Sequence, residues 1–333
     1  MPLGPHAQRV NGQRHRPTHA QRVNGSNGVG HREASHTTVL LRESVVALDL
    51  QPDDVVIDAT LGGGGHAKAI LEKLGKGGVF IGIDADSAAV ERSRAKFKEA
   101  TATIYLHTAN FRSLGEVVAA HHISHITKAL FDLGWSSFQL AEGRGFSFLA
   151  DEPLLMTYEA SPGPETLTAE RIVNTWKEES IADVIFGWGE ERYSRQIARA
   201  IVRARASKPI RTSRELAEII RAAVPAFYRK GRLHPATKTF QALRIAVNDE
   251  MGALKEGLSE AWRLLAPGGR LAAITFHSVE DREVKRLMKE WVTDGSGALL
   301  TKSPTRPSRE EVLANPRARS AKLRVIEKIE QKN

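Results

Sequence analysis

Three short apolar runs in this chain each end in an aspartate: Val55-Val56-Ile57-Asp58, Val79-Phe80-Ile81-Gly82-Ile83-Asp84 and Ala129-Leu130-Phe131-Asp132. Short apolar runs bounded by turn residues read as buried strands. After the first comes Ala59-Thr60-Leu61-Gly62-Gly63-Gly64-Gly65-His66, a glycine-rich link into a helix. Glycines there permit positive φ and let a ligand approach the backbone closely. Acids at strand ends beside such a turn are placed to hold a nucleotide-like cofactor, because ligands of open α/β sheets bind at the carboxyl ends of the strands.

Two cofactor chemistries suit this pattern. Gly62-x-Gly64-x-x-Ala67 fits the dinucleotide fingerprint, in which pyrophosphate rests on the helix N-terminus and an acid about 20 residues on, here Asp84, takes a ribose. A methyltransferase uses the same geometry differently: the acid after the second strand accepts from both ribose hydroxyls, and the acid before the loop lies near a cationic methionine end. Asp58 in that place would sit badly with phosphates, so it favours the sulfonium cofactor S-adenosylmethionine. A structural turn without a ligand is the remaining alternative.

The elements that position these acids can be read from periodicity. Helical spacing covers Val39 to Leu50, His66 to Leu74 and Ser87 to Glu99, and a third strand runs from Ile104 to His107. Strands alternating with helices predict a parallel sheet covered on both faces. The alternation stops between about Gln139 and Pro235, where only helical patterns and loops remain; Thr212-x-x-Glu215 is a capping-box signature. Phe240, Leu243, Val247, Met251, Leu254, Leu258, Trp262 and Leu265 then fall at spacings of three and four, which predicts one long amphipathic helix. Pro267-Gly268-Gly269 ends it, and Arg270 to Phe276 reads as a strand. The expected fold is α/β, a Rossmann-like methyltransferase domain at 36–139 and 236–333 interrupted by an all-helical domain at 140–235.

Bulk composition narrows the function. The 333 residues are 41% hydrophobic and 26% charged, ordinary for a globular protein. No run approaches a membrane span and no segment reads as a signal peptide, which predicts a cytoplasmic protein. The absence of cysteine excludes disulfides, thiolate catalysis and cysteine zinc sites. The net charge of +9 and pI near 9.8 favour a polyanionic partner. Residues 1–35 repeat His-Ala-Gln-Arg-Val-Asn-Gly at 6–12 and 19–25 and carry little to bury, so they read as a disordered basic tail. That tail is either an RNA-binding arm or a duplication without function.

Further segments join the glycine loop in a recognisable order: Asp132-Leu133-Gly134-Trp135-Ser136-Ser137-x-Gln139, Arg144-Gly145-Phe146-Ser147-Phe148, Gly189-Glu190-Glu191-Arg192, His234-Pro235-Ala236-Thr237-Lys238-Thr239-Phe240-Gln241-Ala242-Leu243-Arg244-Ile245, Phe276-His277-Ser278-Val279-Glu280-Asp281-Arg282 and Asn315-Pro316-Arg317-Ala318-Arg319-Ser320. With them the chain, from about His36 onward, resembles the small-subunit ribosomal RNA methyltransferase H family. The resemblance implies S-adenosylmethionine-dependent methylation of N4 of a cytidine in the decoding region of 16S rRNA, with 16S rRNA or the small subunit as partner. It also implies that Gly64, Gly65, His66, Asp84, Phe111, Asp132 and Gln139 bind the cofactor. The family's Pro-Leu-Asp-Met-Arg-Met is here Pro153-Leu154-Leu155-Met156-Thr157-Tyr158, so an acid and an arginine are missing at Leu155 and Thr157.

The cytosine amine is barely basic, so alignment of nitrogen, methyl and sulfur matters more than a strong base. Asp132 and the loop Gly134–Ser137, with Ser136, are candidates to accept from the amine hydrogens. Trp135 either stacks on the flipped base or fills core. His277 follows a strand end and either assists proton removal or holds structure. No metal is expected, since the His and acid spacing matches no metal motif. Arg195, Arg199 and Arg203 share one helical face in a segment, Arg192 to Arg232, with 12 Lys or Arg and 2 Glu. Such a stripe suits RNA phosphates, against the plainer reading of a solvated face.

Overall fold

Apolar alternation along four strands builds the centre of the molecule. The structure, a computed structural model, describes residues 38–133, 143–159 and 162–330. Strands β1 (Val55–Asp58), β2 (Val79–Asp84), β3 (Thr103–Thr108) and β4 (Ile126–Asp132) pair in parallel, and β5 (Leu265–Thr275) continues parallel to β4. Neighbouring residues point to opposite faces. Ile57, Ile81 and Phe131 pack with α4 (Leu114–Ala120), α11 (Glu250–Leu264) and α12 (Ser278–Thr293). Val56, Phe80 and Leu130 pack with α1 (Leu41–Leu48), α2 (Gly65–Leu71) and α3 (Ser87–Lys96). A sheet buried on both faces explains why these strands read as continuous apolar runs.

The sheet order is β3-β2-β1-β4-β5-β7-β6. Its last two strands, β6 (Gly297–Leu299) and β7 (Lys322–Lys328), are antiparallel additions that sequence periodicity does not reveal. β6 has three residues, too few for a pattern. β7 alternates apolar residues with Lys322 and Arg324, whose cations lie on Asp281 of α12 at 2.7 and 2.8 Å.

Between β4 and β5 the chain forms α5 (Ala169–Thr175), α6 (Glu178–Gly189), α7 (Ser194–Ser207), α8 (Ser213–Ala223), the single turn α9 (Ala226–Arg229) and α10 (Thr237–Asn248). The capping box at Thr212 and Glu215 is present. A third core of Phe146, Leu154, Ile172, Ile185, Ile197 and Leu216 belongs to this region and takes in Phe240 and Leu243 of α10.

The single long helix expected from Phe240 to Leu265 is two helices. They meet at Asp249, in the left-handed region at φ 45°. Contacts from inside and outside the helix hold the break: Asn248 Nδ2 donates back to the Arg244 and Met156 carbonyls at 2.9 and 2.8 Å, and Arg112 pairs with Asp249. α10 therefore faces the helical core while α11 faces the sheet, although the apolar spacing runs through both. Among the described residues, no helix is long and apolar enough to cross a membrane.

Candidate active site

The β1–α2 turn is shaped by its glycines. Gly62 and Gly64 have φ of 50° and 70°, and a Cβ on Gly65 would lie 1.7 Å from Thr38 Oγ1. The turn curls around Asp84 at the end of β2: Gly62 N–H donates to Asp84 Oδ2 at 2.7 Å, and Asp86 N–H donates to Oδ1 at 2.8 Å. Burial still pushes the Asp84 carboxyl above its usual range. Asp132, at the end of β4, is tied in by its N–H, which donates to Thr60 Oγ1 at 2.6 Å.

These groups open onto a cleft of about 140 Å³. Gly62, Gly65, His66, Asp84, Phe111 and Asp132 line one bank; Tyr158, Arg244, Asn248, Glu250 and Glu280 line the other. Phe111 follows β3 and packs so closely on Gly257 of α11 that a Cβ there would lie 2.7 Å from its ring. Its ring meets Phe131 edge to face, with centroids 5.8 Å apart. The structure thus gathers Gly65, His66, Asp84, Phe111 and Asp132 of the expected cofactor residues into one cleft lining, and Gly64 caps α2 beside them. Trp135, Ser136 and Gln139, the rest of the Gly134–Ser137 loop and the tail 1–35 lie outside the described residues.

Two buried polar atoms here have no hydrogen-bond partner: His66 Nε2 on the first bank, and Asp58 Oδ2 at the end of β1, next in sequence to the lining residues Ala59 and Thr60. Asp58 Oδ1 accepts from Thr60 N–H at 3.1 Å. Burial raises the Asp58 carboxyl to about 6, against the pull of the neighbouring His66. His66 Nδ1 lies 3.5 Å from Asp132 Oδ2. An acid with an unmet acceptor near neutral pH suits a cationic ligand. An acid set to accept from hydroxyls, an aromatic wall and this orphaned carboxylate together fit S-adenosylmethionine.

Sequence pattern does not announce the second bank. Arg244 donates twice to Glu250, both bonds at 2.7 Å, and Tyr158 O–H donates to the same carboxylate at 2.7 Å. Tyr158 N–H donates to Asn248 Oδ1 at 2.9 Å, so the segment that carries Leu155 and Thr157 is pinned to the end of α10. The one available signal is the motif segment that carries Arg244; nothing in it shows that a helix break folds Glu250 back onto the guanidinium.

His277 stands behind this bank. Its Nδ1 caps α12 by accepting from Glu280 N–H, and its Nε2 lies 2.9 Å from Glu280 Oε1. Glu280 lines the cleft, whereas His277 is not among the lining residues. Glu250, His277 and Glu280 bring ligand atoms within 4.8 Å of one another. The Arg244 guanidinium, doubly bonded to Glu250 and 3.4 Å from His277 Nε2, already supplies the positive charge there.

The α7 stripe takes shape with one change. Arg195, Arg199 and Arg203 lie on one outward face, but Arg199 is 3.5 Å from Glu178 of α6, an acid brought in from another helix. Arg192 precedes the helix and lies over the rings of Tyr193, Phe227 and Tyr228 instead.

Comparison with known proteins places this architecture. The model of the MraW methylase family matches residues 33–329. The chain belongs to the MraW methylase family. Ribosomal RNA small subunit methyltransferase H of Brevibacillus brevis is 44% identical over 310 residues, 88% of this chain and 98% of that protein. Its namesake in Symbiobacterium thermophilum is 44% identical over 311 residues, 89% of this chain and 97% of that protein. As an MraW methylase the chain is a transferase, and its cofactor S-adenosylmethionine supplies an electrophilic methyl group on a sulfonium.

Proposed function

We propose that this chain methylates N4 of a cytidine in the decoding region of the small-subunit 16S rRNA. The observation that carries the reading is that Asp132 shares one cleft with Asp84 and Phe111, so the residues suited to a cofactor and the acid suited to the acceptor amine face the same space. The names of the two relatives support ribosomal RNA as substrate.

In this reading Asp84 accepts from the ribose hydroxyls, Phe111 packs on adenine, the Gly64-Gly65-His66 turn lies against the cofactor, and Asp58 faces its cationic end. Asp132 holds the target amine by accepting one of its hydrogens, which turns the nitrogen lone pair toward the methyl carbon. That is catalysis by orientation, and it acts chiefly in the transition state. The Arg244–Glu250 ion pair, with the Tyr158 hydroxyl bonded to it, forms a fixed wall that excludes water from the base. The methyltransferase domain is residues 36–139 and 236–333 and the helical domain 140–235, with α10 packed on the helical core, and the α7 stripe meets RNA phosphates.

The test is mass mapping of methylated nucleotides in 16S rRNA after incubation of small subunits and of free rRNA with the wild-type chain and with Asp132→Asn. One N4-methylcytidine that depends on Asp132 is expected. A methyl group on another base or atom would overturn the reading.

A further inference from the structure

His66 lies in the cleft with more chemistry than binding requires. It is buried, at the start of α2, and lines the same bank as Asp132. Its Nδ1 is 3.5 Å from Asp132 Oδ2. The charged groups acting on its ring are Asp132 from the end of β4 and Asp58 from the end of β1; from the segment before α1 comes only the Val39 backbone, which favours the protonated ring. Asp58, acted on in turn by Asp84, keeps its second carboxylate oxygen without a partner. Buried polar atoms without partners are uncommon in native proteins and call for an explanation.

We propose that His66 is a positioning residue that takes, at Nδ1, the proton which the methylated amine releases onto Asp132. The inference rests on the functional reading above. The balance is simple. The N–C bond forms, the C–S bond breaks and its electron pair stays with sulfur. The new N–methyl ammonium then loses one proton to Asp132 Oδ2, and that proton passes to Nδ1. One positive charge leaves the sulfur side of the cleft as another appears on the imidazole, so the buried acids keep a cation throughout.

The electrostatics run in the required direction. Burial alone would lower the His66 pKa, but the bond to Asp132 and the charges of Asp132 and Asp58 outweigh it, and the ring is raised above its ordinary value. A bound sulfonium opposes that pull and favours the neutral ring, which is the form able to accept. Once sulfur is neutral the pull is restored.

The deciding measurement is ¹⁵N NMR titration of histidine-labelled full-length protein. One complex holds an analogue with an ammonium in place of the sulfonium, the other holds S-adenosylhomocysteine. The His66 signal, assigned by its loss in His66→Asn, should titrate at a pH at least about one unit lower with the cationic analogue, a tenfold change in proton affinity. Identical titrations in the two complexes would overturn the proposal. In single-turnover methylation, His66→Asn should lose the acid limb of the pH profile and slow at least about tenfold at neutral pH, as when a proton acceptor is removed. An unchanged profile would also overturn the assignment. Should His66→Asn fail to fold, the signal is assigned through its response to Asp132→Asn and the NMR comparison still decides. If wild-type protein leaves small-subunit RNA unmethylated, the functional reading fails instead, and the titration still tests His66 independently.

Discussion

The two banks of the cleft treat their charges in opposite ways. On the sheet side Asp58 Oδ2 and His66 Nε2 are buried without partners, and burial holds the carboxyls of Asp58 and Asp84 above their usual range. On the helical side Glu250 accepts three hydrogen bonds from Arg244 and Tyr158, and Glu280 accepts from Phe276 and His277. Unmet capacity beside the cleft is open to a ligand's polar atoms, whereas Ser44 Oγ and Thr239 Oγ1, also buried and unpaired, lie outside its lining. Met capacity marks a wall. The same substitution chemistry should therefore damage binding on one bank and folding on the other.

The largest effect should fall on the wall. Arg244→Met leaves the half-buried Glu250 with Tyr158 and no cation, and loss of one partner from a pair this sheltered should cost about 3 kcal/mol, the low end for a fully buried pair. Denaturant unfolding should show that loss, and adding Glu250→Met should recover most of it. A single variant as stable as wild type would show that the wall is solvated and the contrast between banks false.

Next in size is Asp84→Ala. It removes a charged acceptor from the cofactor and frees two backbone N–H groups of the turn. Calorimetry should show S-adenosylhomocysteine binding weaker by about 2–3 kcal/mol, the scale of a hydrogen bond to a charged group. Unfolding stability should fall by less than it does for Arg244→Met.

Asp58→Asn should split stability from binding. The folded-state pKa of Asp58 is raised from 3.8 to about 6, so folding favours the protonated acid. The stability this gives is present below the unfolded value and is lost as pH rises through the folded one. Between about pH 4 and pH 7 the cofactor-free wild type should lose about 1–3 kcal/mol from this group, and Asp58→Asn should not. Melting at both pH values checks the sign. The variant should be the more stable protein at neutral pH and the weaker cofactor binder. Parallel losses in both would mean that Asp58 serves only the fold.

What can be read from sequence follows the same division. The sheet bank is built from residues adjacent in sequence to strand ends and glycines, so Asp58, Gly62, Asp84 and Asp132 declare their place through local pattern. The wall depends on Asp249 adopting φ 45° in the middle of an unbroken apolar period. That conformation is imposed from outside the helix, by Arg112 and by the Met156 carbonyl, so spacing alone reads straight through it. β7 escapes for a related reason: its alternating cations look solvated until Asp281 of α12 is seen beneath them. Sequence leaves His277 open between proton acceptor and structural residue, and in the fold its ring takes up the helix cap.

The smallest effect concerns the outer surface of the helical region, where charge is again met at some positions more than others. Arg195 and Arg203 lie on the outward face, while Arg199 shares its guanidinium with Glu178 at 3.5 Å. A phosphate contact releases counterions and contributes about 0.7–0.9 to the log–log salt slope of RNA binding. An arginine already facing an acid brings less net charge to a phosphate, so the three residues should not count equally. Replacing Arg195 and Arg203 with Gln should flatten the slope by about 1.4–1.8, and Arg199→Gln should change it by less than either. Glu178→Gln should act the other way, strengthening binding slightly and steepening the slope. Cofactor affinity should stay constant in all of them, because the stripe is no part of the cleft lining. The measurement is RNA affinity across a salt series. Equal slopes for wild type and the Arg195 and Arg203 double variant would make the stripe a solvated face, and the RNA surface would then have to be sought elsewhere on the molecule.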